Sequence, residues 1–122
     1  MPVTYRIESG VGLVLTTASG TVTDDEALRH QAALSADPGF RPDLRQLVLF
    51  TEATAFFLTT EGVKRLASTD PFSVGSRRAF VADQDLQFGI ARMYQAMTEG
   101  TGAELRVFRD EAEARNWLGL ET

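Results

Sequence analysis

Two short apolar runs, each followed by a segment with helical spacing, constrain the fold of this chain more than any other feature. Residues 46–50 and 78–82 are almost continuously apolar. They lack the alternation expected of a strand that has one face in water. Such runs are typical of strands buried on both faces of a parallel sheet. Neighbouring parallel strands need a crossover connection, and the helical segments that follow these runs can provide it.

The rest of the chain extends this alternation into a complete order of elements. Residues 3–7 and 13–18 are predicted to form a hairpin, with a turn at 9–12 and a strand end at Ser19-Gly20. Residues 51–58 are predicted to be a connection, and residues 104–108 the last strand. The predicted caps that start the helices are Thr23, Thr59 or Thr60, Asp83 or Asp85, and Asp110.

The predicted order is therefore β-β-α-β-α-β-α-β-α. We expect a single α/β domain over residues 1–122, with a mixed, mostly parallel sheet and four helices. The third helix has the clearest buried face, predicted from apolar residues at helical spacing: Leu86, Ile90, Met93, Tyr94 and Met97. The first helix is weakly amphipathic, because Gln31 interrupts its predicted inner face.

Composition and charge exclude several classes of protein. The 122 residues have a net charge of -5, which disfavours binding to nucleic acid or to an anionic membrane surface. No apolar run approaches the roughly 20 residues of a membrane-spanning helix. Residues 1–6 lack the apolar stretch of a secretion signal, and we expect a cytoplasmic location. The ratio of 11 Arg to 1 Lys is typical of a bacterial, high-GC coding bias.

The residues that usually perform catalysis are scarce. The chain has no Cys, which excludes disulfides, thiolate nucleophiles and cysteine zinc sites, and its only histidine is His30. His30 is predicted to be a partly exposed helix residue. Acidic residues follow three strands, at Glu52, at Asp83 and Asp85, and at Asp110. Converging carboxylates could bind Mg²⁺, but acids are also common at helix starts. We expect no catalytic residue, no metal and no cofactor.

A surplus of apolar residues is the more informative signal. Phe56, Phe57 and Leu58 lie in the predicted connection, where large apolar groups are unfavourable unless buried. Met93, Tyr94 and Met97 add adaptable side chains, and Phe88 lies opposite the predicted buried face of its helix. These residues predict an apolar pocket or a homodimer face. The alternative is a core closed by its own loops.

Sequence segments along nearly the whole chain resemble the bacterial SpoIIAA-like proteins. The segments are 12–15, 20–23, 46–49, 77–82, 88–94, 106–114 and 117–118. These proteins are a branch of the STAS domains and are similar to CRAL-TRIO lipid-binding domains. The resemblance implies a non-enzymatic regulatory or binding module.

The resemblance also implies one candidate modification site. Well-known STAS members are anti-sigma-factor antagonists with an Asp-Ser-Ser-Gly-like segment, in which a Ser is phosphorylated. Residues 58–62 read Leu-Thr-Thr-Glu-Gly, with Thr60 nearest the modified Ser and Gly62 at the Gly. Thr59 and Thr60 are therefore candidate phosphorylation sites. The Asp is absent, and a Thr at a helix start is ordinarily a cap.

Our hypothesis is a binding module for a small apolar or anionic ligand, or for a protein partner. Its predicted surface is residues 56–60 together with the start of the helix that holds residues 86–98. An apolar segment beside a helix N-terminus can receive an apolar body with an anionic head. A phosphoregulated antagonist and a metal-dependent enzyme that uses the carboxylate edge are the alternatives.

Overall fold

The predicted order of elements is confirmed by the computed structural model, which describes residues 3–120 and their side chains except those of 51–56 and 101. Within these residues the strands are β1 (Val3–Glu8), β2 (Leu13–Thr23), β3 (Arg45–Phe57), β4 (Arg77–Val81) and β5 (Glu104–Phe108). The α-helices are α1 (Asp24–Ala36), α2 (Thr60–Ser68), α3 (Asp85–Thr98) and α4 (Glu111–Leu118).

The five described strands form one mixed sheet in the order β1-β2-β3-β4-β5. β1 and β2 form the predicted antiparallel hairpin, with Gly12 in the left-handed region at φ 65° where the turn closes. β3, β4 and β5 each run parallel to the preceding strand. The crossover helices therefore return the chain to the same end of the sheet each time.

Alternation along the strands divides the core into two layers. Leu13, Leu47 and Ala79 pack on one face of the sheet against Ala114 and Leu118 of α4. The opposite face packs against α1, α2 and α3, and its buried residues include Val14, Val48 and Phe80. The central strands are thus buried on both faces, which is the property that their apolar runs predicted.

The predicted ends of β2 and β3 are wrong. β2 continues through Ser19-Gly20 to Thr23, and β3 includes most of the predicted connection and ends at Phe57. The two extensions pair with each other, from Ser19 with Glu52 to Thr23 with Phe57. Gly20 has a φ of 64°, and register shifts on both sides of Ser19-Gly20 absorb the irregularity. Backbone pairing between two distant segments therefore outweighs the local turn signal.

The start and the buried face of α3 also differ from the prediction. Gln84 is the N-cap and makes no side-chain capping bond, whereas Asp85 is the first helical residue. The fully buried positions are Gln87, Ala91, Tyr94 and Thr98, and Leu86 is 59% exposed. Ile90, Met93, Tyr94 and Met97 of the predicted face do pack in the core. The differences are the exposure of Leu86 and the burial of the polar residues Gln87 and Thr98, which an apolar pattern alone cannot indicate.

The N-termini of α1 and α2 are linked by one carboxylate. Thr23 caps α1 as predicted, and Thr59 caps α2 by accepting a hydrogen bond from the amide of Gly62 at 3.0 Å. The Asp24 carboxylate accepts bonds from the Thr59 amide at 3.0 Å and the Thr59 hydroxyl at 2.6 Å. A Cβ on Gly62 would lie 2.0 Å from Oδ1 of Asp24. Glycine is therefore required at position 62 for this contact.

We predict opposite effects of alanine at two helical glycines. Gly62→Ala should lower the free energy of unfolding by about 1–2 kcal/mol, because displacing Asp24 costs more than the helix propensity gained. Gly89→Ala is the matched control, because a Cβ there meets nothing within 4 Å. It should raise the same quantity by about 0.5–1 kcal/mol. Urea denaturation measures both, and equal stabilisation by the two variants would contradict the prediction.

Candidate functional site

A cavity of about 110 Å³ lies between the sheet and helices α1, α2 and α3. Its walls are mostly apolar side chains from β2, β3, β4 and the three helices. They include Ala18, Val22, Ala27, Leu34, Val48, Leu58, Val63, Leu66, Phe80, Ile90 and Ala91. Polar side chains that also line it are Thr16, His30, Gln31, Gln46, Arg78 and Tyr94. The cavity therefore combines an apolar body with a group of interior polar atoms.

Arg78 is the only charged side chain that lines the cavity in the described part of the chain. It is paired with Asp70, which lies just beyond the end of α2: Nη1 is 2.5 Å from Oδ2 of Asp70, and the two side chains are 5% and 12% exposed. The Tyr94 hydroxyl donates to the same oxygen at 2.5 Å, and the Phe72 amide donates to the other oxygen at 2.9 Å. The Arg78 guanidinium also lies 4.5 Å from the centroid of the Phe72 ring. This ion pair joins β4, α3 and the segment after α2.

Three further side chains continue from Arg78 of this ion pair as one hydrogen-bonded polar chain, Arg78–Gln46–Thr16–His30. The successive distances are 3.3 Å from Arg78 Nε to Gln46 Oε1, 3.1 Å from Gln46 Nε2 to Thr16 Oγ1, and 3.3 Å from Thr16 Oγ1 to His30 Nε2. Arg78 can only donate, which fixes the amide of Gln46 toward Thr16. Thr16 Oγ1 and His30 Nε2 form the last bond of the chain, and the tautomer of the ring decides which of the two atoms donates.

The charges of Arg78, Asp70, His30 and Tyr94 sum to zero at neutral pH. Burial lowers the pKa of His30 from 6.5 to about 4, and the imidazole is therefore neutral at pH 7. Burial also raises the pKa of Tyr94 above its ordinary value, and the hydrogen bond to Asp70 acts in the same direction. The Arg78 cation is balanced by the Asp70 anion. The cavity thus has hydrogen-bonding groups without a net charge.

The structure brings only part of the predicted site to the cavity. Leu58 and Tyr94 line it, together with Ile90 from the predicted face of α3. Met93 and Met97 are half-buried and pack in the core cluster that contains Tyr94. Phe57 is 64% exposed at the end of β3, and the side chain of Phe56 lies outside the described residues.

Phe88 is half-buried, away from the cavity. The Arg109 guanidinium lies 4.2 Å from its ring centroid. The face of Phe88 that suggested a dimer contact is therefore covered by Arg109 of the same molecule.

The two candidate phosphorylation sites differ in their environments. The Thr59 hydroxyl donates to Asp24 and accepts from the Gly62 amide. A phosphate on Thr59 would remove the proton that the hydroxyl donates to Asp24 and would place its negative charge beside that carboxylate. Thr60 is the first residue of α2 and is exposed. The geometry thus assigns Thr59 a capping role.

Two of the acids at the carboxyl edge of the sheet, Asp110 and Asp85, have structural partners. Asp110 caps α4 by accepting from the Ala112 amide at 3.2 Å, and Asp85 pairs with Arg109 at 2.9 Å. The Glu52 side chain lies outside the described residues. Among the described residues, no group of three or more His, Asp or Glu side chains could hold a metal ion.

Sequence reasoning missed most of the polar atoms of the site. Thr16 and Gln46 lie in strands that were predicted from their apolar neighbours. His30 is half-buried on α1 as predicted, but the sequence did not indicate that it lines the cavity and bonds to Thr16. The one available signal was Gln31 on the inner face of α1. Its amide donates to the Leu66 carbonyl at 3.0 Å and joins α1 to α2 beside the cavity.

Comparison with solved structures confirms the resemblance of this fold to SpoIIAA-like proteins. An uncharacterised protein of the DUF3478 family from Shewanella loihica PV-4, described as having a SpoIIAA-like fold, matches with a TM-score of 0.64. The sequence identity is 23%, and the match covers 95% of this chain and 93% of the other. The chain therefore has a SpoIIAA-like fold.

The other comparisons add no relative. No family model matches the chain, and no curated protein matches it. Among the described residues no helix is long and apolar enough to span a membrane.

We predict that His30 makes the stability of the protein depend on pH between about 4 and 6.5. In this range the unfolded state binds a proton that the native state excludes, and stability therefore falls as the pH falls. Between pH 7 and 4.5 the free energy of unfolding should drop by about 2 kcal/mol more in the wild type than in His30→Gln. Urea denaturation at several pH values measures this, and identical pH profiles for the two proteins would contradict it.

Proposed function

We propose that this protein is a non-enzymatic binding module that holds a small, mainly apolar ligand in the cavity between its sheet and helices α1–α3. The observation that supports the proposal is the cavity itself. The apolar side chains around this volume of about 110 Å³ lack packing partners on their cavity side. A ligand that fills the volume recovers the lost contacts.

The size of the cavity limits the occupant to a small body. An apolar cavity of roughly 150 Å³ can bind benzene. At about 110 Å³, this cavity suits a body of similar or slightly smaller size. Ala27, Leu58 and Ile90 in its wall are only half-buried, which leaves room for part of a ligand to extend outward.

The polar groups of the cavity support binding rather than catalysis. Thr16 and Gln46 are hydrogen-bonded within the polar chain, and the Arg78 charge is paired with Asp70. With its pKa near 4, neutral His30 is a poor base and is hydrogen-bonded to Thr16. The phosphoregulated alternative is weaker at Thr59, whose hydroxyl is already used in capping, and it therefore depends on the exposed Thr60. The metal-dependent alternative lacks a cluster of ligands among the described residues.

We predict that filling the cavity prevents ligand binding. Ala27 lines the cavity on α1, and Ala27→Leu places additional side-chain atoms inside it. Benzene at millimolar concentration should shift the amide resonances of Val22, Val48 and Ala91 in the wild type. In Ala27→Leu its affinity should fall by at least tenfold, because the volume that it needs is occupied.

Ala32→Leu is the matched control, because Ala32 is exposed on the same helix. It should bind benzene within twofold of the wild type. Native mass spectrometry of protein purified from cells then tests whether a small molecule is retained. Equal binding of benzene by the wild type and Ala27→Leu, or no shift of the cavity resonances, would refute a ligand site in this cavity.

A further inference from the structure

We infer that the ligand is an amphiphile whose hydrocarbon tail lies in the cavity and whose polar head stays in water, at the edge of the sheet where α1, α2 and α3 begin. This inference rests on the proposed function and specifies the chemistry and the orientation of its ligand. It follows from the polarity of the two ends of the cavity and from exposed apolar side chains beside one of them.

The sheet wall of the cavity becomes less polar toward the carboxyl ends of the parallel strands. The register places Gln46 of β3 beside Arg78 of β4 in one row across the sheet. In the next row Thr16 of β2 lies beside Val48 of β3. Beyond that row, the described side chains of the sheet that line the cavity are apolar: Val3, Ala18, Val22 and Phe50. The polar side chains of the sheet therefore lie at the end of the cavity away from the helix N-termini.

This inner end is closed by contacts between elements. The Gln31 amide joins α1 to the Leu66 carbonyl of α2 at 3.0 Å. The Phe72 ring lies over the Arg78 guanidinium and meets the Phe40 ring edge to face, with 5.2 Å between the ring centroids. Although polar side chains line this end, the surface that the cavity wall presents is almost entirely apolar. A polar head buried here would lose its hydrogen bonds to water without replacement, which is unfavourable.

The other end of the cavity reaches the surface where three helices begin. Ala27 lies in the first turn of α1, Leu58 lies just before α2, and Ile90 lies in the second turn of α3. All three line the cavity and are half-buried. They therefore border both the cavity and the solvent, and this end is the opening through which a tail enters.

Large apolar side chains are exposed beside this opening. Leu86 is 59% exposed and lies one helical turn before Ile90 on α3, and the two residues therefore share one side of the helix. Phe57 is 64% exposed and directly precedes Leu58. Neighbouring exposed apolar groups commonly mark an interaction site. The apolar surface of the cavity thus continues past its opening, where a tail longer than the cavity can cover it.

The volume of the cavity sets the length of the tail. On the scale on which the six carbons of benzene occupy roughly 150 Å³, a cavity of about 110 Å³ holds about four carbons. A tail of about six to eight carbons therefore fills the cavity and leaves its last methylenes against the exposed side chain of Leu86.

A paramagnetic probe tests the orientation. The hexyl ether of 4-hydroxy-TEMPO has a hydrocarbon tail and a nitroxide head that is too large for the cavity. In ¹⁵N-labelled protein, the nitroxide should broaden the amide resonances of Leu58 and Leu86 more than those of Leu34 and Gln46, which line the inner end. Spectra after reduction with ascorbate give the unbroadened intensities.

A pair of surface variants tests the contact outside the opening. In Leu86→Ser the affinity for 1-octanol should fall about threefold to tenfold, because one or two methylenes lose an apolar contact. Its affinity for benzene should stay within twofold of the wild type, because benzene lies inside. Val74→Ser is the matched control, because Val74 is 71% exposed and does not line the cavity. It should leave both affinities unchanged. Dissociation constants come from amide shifts.

Broadening that is strongest at Leu34 and Gln46, equal at both ends or absent would overturn the inference. Equal affinities of Leu86→Ser and the wild type for 1-octanol would also overturn it. In each of these cases benzene would still bind, and the proposed function would survive. Failure of both benzene and 1-octanol to bind would instead reject the proposed function.

Discussion

The ion pair between Arg78 and Asp70 is the interaction on which the interior of this fold depends. Burying an isolated guanidinium is strongly unfavourable, and removal of one partner from a buried pair typically costs about 3–5 kcal/mol. The Arg78 side chain is 5% exposed, and its neighbours therefore must supply compensation. Asp70 neutralises it, Tyr94 and Gln46 share its hydrogen bonds, and the Phe72 ring covers it. One charge thus determines how β4, α3 and the chain after α2 meet.

Much of the fold could be predicted from local sequence, because its strands and helix caps have local signals. The hairpin, the parallel strands and the caps at Thr23, Thr59 and Asp110 followed from such signals. The extensions of β2 and β3 could not be predicted from local signals, because they exist only through pairing with each other. Residues 51–55 have little apolar content. Without knowledge of the β2 partner, they resemble a loop.

The polar site was harder to predict for a related reason. Arg78 begins an apolar run, and a charged residue in that position resembles the end of a strand. Its alternation with Phe80 places both on the same face, but that face is not known to be interior until the helices are placed. Gln46 of β3 lies opposite Arg78 of β4 in the parallel register. On β2 the residue opposite Gln46 is Val14, and Thr16, which bonds to Gln46, lies two residues further along the same face. The polar chain is therefore a product of strand register, which no single segment of the sequence reveals.

The same polar atoms explain why the cavity persists. An apolar interior recovers some van der Waals contacts by partial relaxation into an empty volume. Here the side chains of Gln46 and Thr16 are fixed by hydrogen bonds, and moving either would leave buried polar atoms unpaired. Gln31 also fixes α1 relative to α2 through the Leu66 carbonyl. These hydrogen bonds oppose a closer approach of the helices to the sheet at this level, and the polar network thereby helps to maintain the cavity.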